Sequence, residues 1–201
     1  PNTGGMGAYS PPAGFPDGYL DVVRERILAP TLRGLLAEGE TYIGVVYCGL
    51  MWTAAGPFVI EYNARFGDPE TQVLMPRING DFARLLATAA EGAVALDAVT
   101  MSGDACVGVT LASKDYPRTS TPLRGLPERF DVPPNAAVFW GASTPKNGKV
   151  DAAGGRVLTV TATASTIADA RAEAYAAVAV VGEQIGSNDL SYRSDIASGL
   201  I

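Results

Sequence analysis

Apolar residues recur at helical spacing early in the chain. Leu20, Val23, Ile27 and Leu28 share one face of a helix predicted over Asp17 to Glu38, which Pro30 kinks or divides and Gly39 ends. The period then shortens. Thr41–Trp52 and Pro57–Arg65 are rich in Tyr, Ile and Val, and the short Thr53–Gly56 turn between them predicts a hairpin. Asp68 reads as a helix N-cap with Pro69 at the first helical position, and a further helix is predicted from Asp81 to Glu91, ended by Gly92.

The second half changes character. Cys106–Ala112, Ala136–Trp140 and Arg156–Thr163 are strand-like, whereas residues 113–135 carry five prolines and read mostly as loop. Asn147-Gly148 and Gly154-Gly155 mark turns. Thr166-Ile167-Ala168-Asp169 resembles a capping box and opens a helix to about Val181, with Ile167, Ala170, Ala174, Val178 and Val181 as its buried stripe. A boundary near residues 93–104 follows from this change, with no long linker. No internal repeat or low-complexity segment is present. The chain opens in a glycine-rich loop with no preceding strand, which predicts further chain upstream.

Composition narrows the class. The 201 residues are 47% hydrophobic and 18% charged, as in a globular protein of one large or two small domains. A net charge of −6 without a basic run argues against nucleic acid as a partner. No apolar stretch approaches the ~20 residues that span a bilayer, which argues against a membrane. Cys48 and Cys106 lie in strand-like runs and read as buried reduced thiols of a cytoplasmic protein. The chain contains no histidine, which removes Ser-His-Asp and Cys-His nucleophiles and histidine metal sites. Chemistry here must rest on carboxylates, amides, arginine, lysine, backbone N–H groups and metal.

One segment concentrates such groups, Val59-Ile60-Glu61-Tyr62-Asn63-Ala64-Arg65-Phe66-Gly67-Asp68-Pro69-Glu70. Residues two apart on a strand share a face, so Glu61, Asn63 and Arg65 point the same way. A carboxylate and an amide oxygen together suit a hard cation such as magnesium, and an adjacent arginine suits a phosphate or carboxylate. The alternative is a solvated strand face with Arg65 paired to Glu61. Gly4-Gly5-Met6-Gly7 brings backbone close to a ligand or makes ordinary turns, and it fits neither the P-loop nor the dinucleotide pattern. Lys114, Arg118, Arg124 and Lys146 either reach a substrate phosphate or form a solvated rim.

Taken together, Pro1-Asn2-Thr3-Gly4-Gly5-Met6-Gly7-Ala8-Tyr9-Ser10-Pro11 and Ile60–Gln72 resemble the hallmark motifs of the phosphoribosylamine–glycine ligase family, ATP-grasp enzymes of purine biosynthesis. Tyr47–Met51, Gly108–Tyr116, Gly154–Leu158 and Tyr192–Ile196 extend the resemblance over nearly the whole chain. The resemblance implies an α+β fold: part of the ATP-grasp large subdomain, an antiparallel sheet with helices, at residues 1–98, then a small mixed α/β C-terminal domain at 99–201. It implies ATP, glycine and 5-phosphoribosylamine as substrates, with Mg2+ or Mn2+ on Glu61 and Asn63. Arg65 would be catalytic, facing the transferring phosphoryl group. Asn2, Thr3, Gly4, Gly5, Met6, Gly7 and Asp68 would line the substrate wall, and Leu50 and Ile60 the floor under the nucleotide. The family's N-terminal domain and lid have no counterpart here, so the chain resembles a C-terminal half that needs its upstream half as partner. Tyr62 and Ala64 stand where many relatives have phenylalanine and cysteine, and Phe139-Trp140-Gly141-Ala142 replaces a more usual Phe-His-Ala-Gly. Another ATP-grasp carboxylate–amine ligase and a non-catalytic binding module are the competing readings.

Overall fold

The computed structural model describes residues 3–186 and 189–200. Along the chain it forms β1 (Gly7–Ser10), α1 (Tyr19–Val23), a π-helical turn (Arg24–Leu28), α2 (Ala29–Ala37), β2 (Tyr47–Thr53), β3 (Gly56–Asn63), α3 (Glu70–Leu74), β4 (Ile78–Gly80), α4 (Phe82–Ala90) and β5 (Val99–Met101). Then follow β6 (Ala105–Ser113), β7 (Leu123–Pro127), β8 (Ala136–Trp140), β9 (Ser143–Lys146), β10 (Lys149–Ala152), β11 (Arg156–Ala164), α5 (Ile167–Ile185) and β12 (Leu190–Ser191). The result is α+β with antiparallel sheets.

Two compact units share the chain by interleaving. One comprises residues 1–11, 68–78 and 101–201; the other comprises residues 12–67 and 79–100. The chain therefore crosses between them four times.

The first unit is built on a central sheet in the order β1-β6-β11-β8, with β12 sharing the edge of β6 beyond β1. Every residue of β6 is buried. Alternation sorts the sheet into two faces. Val107, Val109, Leu111, Leu158, Val160 and Ala162 join Ala170, Ala174, Ala177, Val178 and Val181 of α5 in the main core. Three of these helix contacts are alanines with no exposure, which lets α5 lie close on the strands. The opposite face carries Gly108, Thr110, Thr159 and Thr161, and there the short α3 lays Val73 over Gly108. Thr110 and Thr159 satisfy each other's hydroxyls at 3.0 Å. A separate sheet, β7-β10-β9, turns at Asn147-Gly148, where both residues have left-handed φ (52° and 71°) as the dipeptide predicts.

The second unit holds the predicted hairpin, β2 with β3, and the capped helix α4, whose Asp81 carboxylate accepts the Arg84 amide at 2.8 Å. The helix over Asp17–Glu38 is divided, as expected, into α1, a π turn and α2, because Pro30 opens α2 and has no N–H to continue the α-helical ladder. Three other expectations are corrected. Of that helix's expected buried face only Ile27 is buried, and Leu20 is 65% exposed. β2 begins at Tyr47, not Thr41, because Gly44 takes φ +151° and Tyr42 folds its hydroxyl onto the Val45 carbonyl. Asp68 does not cap α3; Pro69 holds that position, and the Asp68 carboxylate is engaged elsewhere.

The two-faced sheet predicts opposite effects for two alanines in the first unit. A Cβ on Gly108 would lie 2.8 Å from Val73 Cγ1, so Gly108→Ala should destabilise by about 1–3 kcal/mol in urea denaturation. Gly182, inside α5, has open space around it, and Gly182→Ala should stabilise by about 0.5–1 kcal/mol in the same assay.

Candidate active site

The predicted site residues divide between the two units. In the second unit, β3 presents Glu61 and Asn63 two residues apart on one face. The Asn63 amide nitrogen donates to a Glu61 carboxylate oxygen at 3.1 Å, which links the two side chains. Glu61 is exposed and Asn63 half-buried, so their oxygens stand at solvent. Among the described residues no group of three or more His, Cys, Asp or Glu could hold a metal ion. Two oxygen donors on one strand still fit magnesium, which keeps several waters and binds through one or two protein groups plus substrate phosphates.

Arg65 lies two residues beyond the end of β3 and donates to the Phe66 carbonyl at 2.7 Å. Its guanidinium is exposed and turns to that carbonyl. Tyr62, on the alternate face, pairs its hydroxyl with Thr31 at 2.8 Å, so its departure from the family pattern leaves the Glu61 face unchanged. Leu50 pairs with Val59, and a register shift between Gly49 and Leu50 leaves Ile60 as the extra residue of a β-bulge, 63% exposed.

In the first unit, Thr3, Gly4 and Gly5 lead into β1; Asn2 lies outside the described residues. Gly7 is not open loop but the first residue of β1, paired with Val109, and a Cβ there would meet the Gly108 carbonyl at 2.8 Å. Met6 is buried and its carbonyl accepts the Thr110 amide at 3.0 Å. Asp68 is held at both carboxylate oxygens, one by Gln72 Nε2 at 2.9 Å and the other by Arg156 at 3.1 Å. These three residues line a cavity of about 210 Å3 together with Gly141 and Gly154, and the remaining amide oxygen of Gln72 is buried without a hydrogen-bond partner.

Arg156 and Gln72 were not singled out by sequence reasoning. The signal for Arg156 was the Gly154-Gly155 pair before it, both left-handed (φ +94° and +67°). Arg124 and Lys146 form ion pairs with Asp151 at 3.4 and 3.8 Å, and the Gly125 amide and these cations hold its carboxyl below the usual range. They form a rim around Asp151 in the β7-β10-β9 sheet. Both cysteines are free; burial raises each thiol, and Cys106 is pushed up to about 11 against the pull of Arg77 and Thr161.

Comparison with known proteins bears on this arrangement. A family profile described as the ATP-grasp (A) domain of phosphoribosylglycinamide synthetase matches residues 1–71, and one described as that enzyme's C domain matches residues 106–199. The chain is 45% identical to a phosphoribosylamine–glycine ligase of Leifsonia xyli, over 98% of this chain and 48% of the relative. A ligase of the same name from Caulobacter vibrioides is 40% identical over 98% of this chain and 46% of its own length. A crystal structure of the phosphoribosylamine–glycine ligase from Thermotoga maritima superposes with a TM-score of 0.78 at 33% identity, covering 98% of this chain and 47% of that one. The chain thus spans about half the length of the relatives it matches. Among the described residues no helix is long and apolar enough to cross a membrane.

Cys48 sits on β2 opposite Tyr62, one residue from the Glu61 position, and reports on this hairpin. Because a raised pKa leaves less thiolate, Ellman's reagent at pH 8 should label Cys48 slowly and leave Cys106 unlabelled, with both reacting in guanidinium. Two thiols reacting at equal rates in the folded chain would contradict the burial of Cys106.

Proposed function

This chain belongs to the phosphoribosylglycinamide synthetase family, and from that premise we propose that it supplies the C-terminal half of an ATP-dependent ligase joining glycine to 5-phosphoribosylamine. In that reaction ATP phosphorylates the glycine carboxylate, the amine of phosphoribosylamine attacks the acyl carbon, and phosphate leaves. The products are glycinamide ribonucleotide, ADP and phosphate. Such chemistry needs positioning and charge neutralisation more than a side-chain nucleophile, which suits a chain without histidine.

The observation that carries the reading is the Glu61–Asn63 pair at the end of a strand, a carboxylate and an amide linked by a 3.1 Å hydrogen bond from Asn63 Nδ2 to Glu61 Oε1. These two residues would hold Mg2+ or Mn2+. When bound, the metal neutralises phosphate charge. Arg65, two residues beyond the end of the strand, would stabilise the charge that develops on the transferring phosphoryl group. Thr3 to Gly7, Asp68 and Asn2 would form the substrate wall, and Leu50 with the bulged Ile60 an apolar floor for the nucleotide. Family ancestry would divide the chain into 1–98 and 99–201, whatever the interleaving of its compact units. The enzyme would work in the cytoplasm, in keeping with two free thiols.

The activity would require the other half of the ligase. Supporting this, the second unit exposes Leu20, Leu36, Ile60 and Leu96 by 63–78%, and apolar exposure of this extent marks surface that packs against something. The test is ADP formation from ATP, glycine and phosphoribosylamine. This chain alone should give no turnover, and a mixture with the upstream half should give turnover. Glu61→Ala should abolish it, and Arg65→Ala should lower kcat by about 10²–10³. Turnover by the chain alone would refute the split; none from a demonstrated complex of the halves would refute the ligase.

A further inference from the structure

Arg156 brings together three segments remote in sequence within the first unit. Its Nη1 donates to the Asp68 carbonyl at 2.6 Å and to the Gly5 carbonyl at 3.4 Å, while Nη2 pairs with the Asp68 carboxylate at 3.1 Å. The second carboxylate oxygen takes the Gln72 amide, so each Asp68 carboxylate oxygen is engaged inside the protein. Gly5 is fitted to the guanidinium: a Cβ there would stand 2.4 Å from Nη1, and its φ of +76° favours glycine in any case. The aim of Arg156 is itself built. It follows the left-handed Gly154-Gly155 pair, and the register of β11 against β6 shifts at Val157, the next residue.

An arginine that is 29% exposed gains little from a carboxylate as an ion pair alone. What this one supplies is geometry. A planar fork with fixed, spread donors can bridge two carbonyls and a carboxylate at once, whereas a lysine offers three donors from a single point.

We propose that Arg156 is a positioning residue: it latches the glycine-rich segment Thr3–Gly7 to the Asp68–Pro69 turn, and so sets the shape of the substrate wall from the C-terminal side of the chain. The functional meaning of the latch rests on the ligase reading above; its existence does not.

Hydrogen exchange on the intact chain decides it. In Arg156→Ala, amides of residues 3–7 and 66–70 should exchange at least tenfold faster, while those of β6 and β11 stay protected. Arg156→Lys should restore only part of the protection. Gly5→Ala offers a second route, because its Cβ displaces the guanidinium without touching Asp68, and it should loosen residues 66–70 as well. Unchanged exchange in both segments, or a rise spread evenly over the whole unit, would overturn the latch. In the two-part enzyme, Arg156→Ala should raise KM for glycine and phosphoribosylamine at least tenfold and leave KM for ATP within twofold; equal rises for all three would mean a general loss of structure and overturn the positioning role. A wild-type mixture without turnover would count against the ligase reading, and the exchange result would stand apart from it.

Discussion

The constraint on which the first unit depends is the sorting of its central sheet into two unlike faces. β6 is buried along its full length, so every residue must match what covers it. Toward α5 the residues are Val, Leu and Ala, and the helix answers with alanine and valine. Toward α3 they include Gly108 and Thr110, and a short helix lays Val73 over Gly108. A glycine at 108 lets Val73 descend onto the strand, and that descent fixes where α3 begins. Asp68 and Gln72 flank that start. Their positions therefore follow from a missing side chain on a strand more than thirty residues later in the chain.

The second unit rests on much less. Its hairpin stands alone as a two-stranded sheet, and an isolated hairpin is marginally stable in water. Neither α1, α2 nor α4 contains a buried residue. Ile27 and Ala98 are its buried hydrophobic residues among those described, while Phe58, Ile60, Tyr62 and Met51 of the hairpin are all exposed by about half or more. The strand proposed to carry the metal ligands thus belongs to the part of the chain with the least core of its own.

Features with a local cause were legible in the sequence. The Asp81 and Thr166 caps, the Asn147-Gly148 turn and the β2–β3 hairpin depend on residues within a few positions of each other. The shared face of Glu61 and Asn63 follows from strand period alone. Features with a distant cause were not. Asp68 followed by proline satisfies the local rule for a cap, yet its carboxylate is claimed by an arginine 88 positions away. Gly7 looks like loop because the strand it pairs with begins near residue 105. The bulge at Ile60 depends on register against β2, which period-two reasoning cannot see.

The interleaving of the units explains why two arginines matter more than their charge. The chain leaves or re-enters the first unit after residues 11, 67, 78 and 100. The crossings after residues 11 and 67 lie in irregular backbone and those after 78 and 100 lie inside β4 and β5, and backbone carbonyls near them must find donors. Arg77, itself 7% exposed, donates to the Ser10 hydroxyl and to the carbonyls of Ser102 and Asp104 at 3.0 and 2.6 Å. Those residues flank the first and last crossings, and Arg77 itself adjoins the third. Arg156 does the same for Asp68 at the second. A guanidinium offers five donors in one plane and stays charged when buried, which makes it the side chain able to gather several acceptors from separate segments. Near residues 11 and 67, where no strand or helix runs through the crossing, the first unit is thus held by hydrogen-bond geometry.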